Sequence, residues 1–152
     1  MQINLQSVDL VLDLLFDQQM KKENEIKDLE KQFKPIEEKF EKSDESDPKH
    51  AEVSAKYYDL LKQIDTKDTE LLVLMTNFSL ITNQDAYDQT TSKLESKLAN
   101  RDVNKDEIEE LEQYIKLLKD ALEESKRSFM YAKEKARGCL EKMHQTSHAA
   151  AP

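Results

Sequence analysis

Thirty-two carboxylates, three histidines, five tyrosines and one cysteine are the groups of this chain that could do chemistry. A di-metal carboxylate centre in a helical bundle needs inward Glu residues and a Glu-x-x-His pair on each of two helices. That spacing puts both ligands of a pair on one helical face. Glu141 and His144 form one such pair and the chain has no second. His50 has no Glu three residues before it. His144 and His148 are four apart, but they fall where the last helix is expected to fray. Cys139 has only His144 in helical register, so an activated thiol has little to build on. It reads as a small buried residue, with an intermolecular disulfide in a parallel assembly as the sharper alternative. With a single Gly, the chain has no Gly-rich phosphate loop, and neither a nucleophile elbow nor zinc spacing occurs. No catalytic residue, metal site or cofactor is expected, and an enzyme ranks last among the function classes.

The elements that carry these groups are far more legible. In the stretch Asn104 to Met143, the residues Ile108, Leu111, Ile115, Leu118, Leu122, Ser125, Phe129, Ala132, Ala136, Cys139 and Met143 follow at alternating steps of three and four. This is the seven-residue repeat of a coiled-coil seam. It is strong at its start and weak later, where small residues take the seam positions. A helix with one apolar stripe draws most of its stability from whatever covers that stripe, so the chain must supply other helices.

Leu5, Val8, Leu12, Leu15, Gln19, Lys22, Ile26, Leu29, Phe33, Ile36 and Phe40 keep the same alternation without a slip of phase. Gln19 and Lys22 are polar seam positions, which weaken a seam but fix register and partner choice; the plainer reading is a splayed, wet patch. Leu10, Val11, Leu14 and Phe16 lie outside the seam and widen the apolar face beyond what a two-stranded coil needs. Residues 5–16 are therefore read as a self-association or partner-docking surface, against the plainer reading that they pack inside their own bundle. Pro35 removes a backbone hydrogen bond and clashes with the Lys31 carbonyl; because Ile36 and Phe40 keep phase, a kink is expected there rather than an end.

Residues 43–50, SDESDPKH, have no apolar side chain and form an exposed acidic loop, with Asp47 as helix cap and Pro48 in the first turn. Val53, Tyr57, Leu60, Ile64, Lys67, Leu71, Leu74, Phe78 and Ile81 continue the alternation. The cluster Leu72, Leu74, Met75 and Phe78 belongs to the most apolar stretch of the chain and is the second expected contact surface. After Ile81 the phase is lost, and residues 83–92, rich in Asn, Asp and Thr, predict a discontinuity. Asn104 with Glu107 resembles a capping box and opens the third helix.

Composition agrees with long helices. Charged residues make up 36% of 152, against about 25% in ordinary domains. Net charge is −9, and the first twenty residues hold three acids and no base. No basic footprint for nucleic acid is present, nor one for anionic lipid. The apolar amino terminus lacks a positive n-region, so it is not read as a cleaved signal. No apolar run comes near the ~20 residues of a membrane span, so direct membrane insertion is not expected. The expected location is cytoplasmic, or exported without a cleaved signal peptide.

The fold class expected is all-α: an elongated antiparallel coiled-coil hairpin or three-helix bundle of long heptad-repeat helices. One domain is expected over 1–144, with helices at about 4–42, 48–82 with a discontinuity to 99, and 104–144, and a disordered tail at 145–152. The first function expected is a structural or scaffolding protein that self-assembles through helix packing, as a homo-oligomer or filament subunit. The second is a small acidic adaptor or chaperone of a secretion-type apparatus, which holds a helical protein partner in its groove.

Overall fold

The computed structural model describes residues 5–150, with side chains from 7 to 141. The expected roles of Leu5, Met143, His144 and His148 rest on side chains outside that range. Three helices, α1 (Leu5–Lys42), α2 (His50–Leu98) and α3 (Lys105–Ala150), account for nearly all of the described chain, and no strand occurs among the described residues. α1 runs through Pro35 without ending there. Ile36 and Phe40 beyond the proline are half-buried and Pro35 itself is exposed. α3 is helical as far as Ala150, past the end expected at 144. Ala149 and Ala150 are strong helix formers, and no Gly or Pro interrupts the approach to them. Positions 151–152 of the expected tail lie outside the described residues.

The discontinuity expected at 83–99 is absent, because α2 is one helix of 49 residues. Its weak helix formers satisfy themselves locally. Thr82, Thr90 and Thr91 each donate their hydroxyl to the carbonyl four residues back, at 2.7–2.8 Å. Gln84 and Gln89 donate to Asp88 and Asp85, each four residues away. Asn83 donates to Ser125 Oγ on α3 at 2.6 Å. Low propensity is a weak prior that side-chain pairing and tertiary contact override.

The turns have distinct fastenings. At the first, Asp47 Oδ1 accepts from the Lys49 N–H at 3.0 Å and caps α2. At the second, the Asn104 carbonyl accepts the Ile108 N–H at 2.9 Å and so begins α3. The capping box expected of Asn104 and Glu107 does not form. Asn104 turns its amide back to the carbonyls of Asn100 and Lys97. Glu107 pairs instead with Lys97 at 3.0 Å. A lysine at the end of the preceding helix outbids a backbone N–H for the carboxylate.

Packing divides the chain into two compact units, each drawing on all three helices. The first comprises Met1–Phe16 and Met75–Lys133. Its buried side chains are Val8 and Leu15 from α1, with Ile108, Leu118, Leu122 and Ala132 from α3. Every one is a seam position. Leu12, Leu111 and Ile115 are half-buried on the same stripes. α2 contributes half-buried residues over much of its circumference, including Phe78, Ile81 and Leu94.

The second unit comprises Asp17–Leu74 and Glu134–Pro152. Ile26 is its buried aliphatic residue, and Leu29 and Phe33 are half-buried. Phe40 stacks on Tyr57 with centroids 4.2 Å apart, and Phe33 lies 5.2 Å from the same ring. His50 stacks on Phe40 at 5.8 Å while its Nδ1 shares a hydrogen bond with Ser43 Oγ at 2.7 Å. The only histidine with a described side chain thus fastens a turn. Thr69, 2% exposed, donates its hydroxyl to the Asp65 carbonyl at 2.7 Å and lies 3.7 Å from Cys139 Sγ.

Truncation should separate seam from surface. Leu122→Ala removes a buried side chain and is expected to cost about 2–5 kcal/mol. Leu117→Ala, at a 68% exposed position, should change stability by no more than about 0.5 kcal/mol. Urea unfolding followed by circular dichroism measures both, and equal effects would contradict the assignment of the seam.

Candidate functional site

Two features stand out, one in each unit. In the first unit, the face of α1 that its seam does not use is bare. Leu10 is 60% exposed, Leu14 55% and Phe16 53%, and Val11 is also exposed. Isolated exposed apolar residues are ordinary, but these four fall within residues 10–16. Leu10 and Leu14 are one turn apart, so they form a ridge away from the seam residues Val8, Leu12 and Leu15. Phe16 lies on the other flank, where it joins Leu12 and Phe78 in an open cleft of about 520 Å³. Asp9 and Asp13 complete the cleft wall. The structure therefore brings together two expected contact residues from different helices, Phe16 and Phe78.

The rest of the expected second surface is less available. Leu72, Leu74 and Phe78 are half-buried, and only Met75 of that cluster is exposed. α2 is contacted on more than one side, so its apolar residues have less surface to spare than their number suggests. Apolar residues on α3 that carry no expectation from sequence are exposed instead: Tyr114, Leu117, Met130 and Tyr131. Each adjoins a seam position in sequence (Ile115, Leu118, Phe129 and Ala132), so they do not stand out as surplus beside the stripe.

In the second unit, the polar seam position Lys22 meets α2 in a charged layer. Lys22 pairs with Glu70, and Lys67 pairs with Glu25 at 3.2 Å. Secondary approaches link Lys22 to Glu25 and Lys67 to Glu70 at 3.6 and 3.9 Å. Two carboxylates and two ammonium groups thus alternate between α1 and α2. Burial works to lower the Lys22 pKa, but its hydrogen bond to Glu70 and the attraction of nearby carboxylates hold it above the usual value. The hydrogen bond from Lys67 holds the Glu25 carboxyl below its usual range. Beside this layer an open cleft of about 400 Å³ is lined by Lys21, Lys22, Val73, Leu74 and Ala136, among others. It exists because a polar seam on α1 faces the small Ala136.

Among the described residues no group of three His, Cys, Asp or Glu side chains could hold a metal ion. Cys139 is half-buried, its thiol 3.8 Å from Asp65 Oδ2 and close to Thr69. Among the described residues no helix is long and apolar enough to cross a membrane.

Charges here set a pH dependence whose sign follows from the shifts. Glu25, with a lowered folded value, stabilises above the ordinary value of 4.5, and that contribution is lost as pH falls through its lower folded value. Lys22, with a raised value, contributes fully below 10.5, and its share is lost as pH rises beyond its folded value. Asp68 acts in the opposite sense to Glu25. Although Asp68 is exposed, partial desolvation first, then Glu30 and Asp65, push its carboxyl above the usual 3.8 against the pull of Lys135, so its ionisation opposes folding. Asp68→Asn is expected to raise the thermal midpoint at pH 7 and to leave it unchanged near pH 3, where the aspartic acid is already protonated. A loss of stability at pH 7 would contradict this. In a double-mutant cycle, Lys22→Met and Glu70→Gln should couple by about 0.2–1 kcal/mol in urea unfolding; additive effects would remove the interhelix pair from the account.

No protein-family model matches the chain, and neither a curated protein nor a solved structure is significantly similar to it.

Proposed function

We propose that this chain is a non-enzymatic structural protein that assembles with copies of itself through helix packing, as a homo-oligomer or filament subunit. The observation that carries the reading is the exposure of Leu10, Val11 and Leu14 on one side of α1 and of Phe16 on its other flank, on a helix whose seam already has its own partners. Fully burying an exposed apolar side chain of this size is worth about 1.5–3 kcal/mol, and because these are already about half covered, each adds a fraction of that on contact.

Within each unit the helices pack as an antiparallel coiled coil in this reading. In the second unit, partners of α1 move down α2 as they move up α1: Lys22 with Glu70, Phe33 with Tyr57, Phe40 with His50. In the first unit, α2 and α3 behave alike, with Asn83 at Ser125 and Lys97 at Glu107. The charged layer then fixes register, as polar seam residues do in coiled coils.

A second reading keeps the same surface and changes the partner. The acid-walled cleft at Phe16 and Phe78 suits a basic amphipathic helix of another protein, as in a small acidic adaptor or chaperone of a secretion-type apparatus. Recovery of one stoichiometric partner with the chain itself monomeric favours that reading over self-assembly.

Leu14→Asp together with Phe16→Asp is expected to abolish association while most helix content remains. Light scattering and circular dichroism on the purified double variant measure the two quantities. An unchanged assembly size would contradict the proposed surface.

A further inference from the structure

Resting on the self-assembly reading, we infer that the α1 face of one copy takes the Met130 face of α3 from a second copy, in a head-to-tail contact steered by charge. The α1 face is acidic: Asp9 and Asp13, both exposed, line the cleft beside Phe16, and residues 1–20 carry no base. Two copies of this face set against each other would oppose carboxylate to carboxylate, and like charges juxtaposed at an interface cost several kcal/mol. A symmetric contact through this face is therefore disfavoured.

The chain carries a face of the opposite sign. Residues 125–133, SKRSFMYAK, hold three bases and no acid between Glu123–Glu124 and Glu134. On the helix Lys119, Lys126 and Lys133 share the Met130 side with Glu123, three bases to one acid, in a chain of net charge −9. Lys126, Arg127 and Lys133 are exposed, and so are Met130 and Tyr131, at 55% and 64%. Lys126, Met130 and Lys133 are four and three residues apart, so they lie along one side of α3. Lys133 Nζ sits 5.2 Å from the Phe129 ring centroid, which holds its charge near the apolar surface. The seam residues Phe129 and Ala132 are half-buried and buried, so the Met130 side is turned away from the packing of its own unit. Apolar centre and charged flank thus match on the two faces, with opposite sign.

Because the two faces differ, each copy offers one donor and one acceptor surface. Such a contact repeats from copy to copy and gives rings or filaments rather than closed pairs.

Charge reversal on the full chain tests this, read by sedimentation velocity. Lys126→Glu with Arg127→Glu should weaken association about tenfold or more. Asp9→Lys with Asp13→Lys should do the same, and mixing the two reversed proteins should restore contact between them. Salt gives a readout that needs no variant: association of the wild-type chain should weaken from low to high NaCl. A wild-type chain that associates, but is indifferent to salt and to both reversals, overturns this contact and leaves self-assembly standing. Failure of the mixed reversed proteins to associate, where the wild type does, also overturns it. A wild-type chain that stays monomeric at all concentrations overturns the self-assembly reading, and this contact with it.

Discussion

Burial of a narrow apolar seam is the constraint on which the rest of this structure depends. With steps of three and four, α1 and α3 each hide one stripe. Of the described hydrophobic residues, seven are buried and all lie on the α1 and α3 seams. On α1 and α3, large apolar side chains placed off the stripe stay exposed. Leu10 and Leu14 are outside for that reason, and not because the helix is disturbed there.

The same geometry explains the charged layer. A seam position must face a neighbour whatever its side chain, so Lys22 brings its ammonium group to α2, where Glu70 meets it. The long aliphatic stem of lysine can cover apolar surface while its head reaches a partner. A pair of this kind contributes modestly to stability. In the proposed coiled coil a shifted alignment would take their interhelix partners from two lysines and two carboxylates.

Which side chains of α1 and α3 are covered follows the three-four spacing of the sequence. In α1, each seam residue from Val8 to Phe40 is buried or half-buried, whereas Leu10, Val11 and Leu14 are exposed. The stripe of α3 is equally clear, even where Ser125 and Ala132 replace large residues. α2 was harder to read. It is contacted on more than one side, so its covered residues do not follow one stripe, and Thr69, the most hidden polar residue, lies off the alternating set. Its hydroxyl is satisfied by its own helix at Asp65, and the small Cys139 leaves space for it. The continuity of α2 was hidden for a related reason: propensity counts Thr, Asn and Asp as weak, while their pairing with neighbours is invisible without coordinates. Of the candidate contact surfaces, the one on α1 could be read from sequence as surplus apolar residues. The one on α3 could not, since Met130 and Tyr131 merge with the stripe residues Phe129 and Ala132 in one short uncharged run.

The central claim is that apolar surface left outside the seam drives copies of this chain together. Sedimentation equilibrium of the wild-type protein over a wide concentration range tests it most directly. The account predicts an average mass that climbs with concentration to multiples of 17.7 kDa. A mass fixed at that single-chain value across the whole range would contradict it.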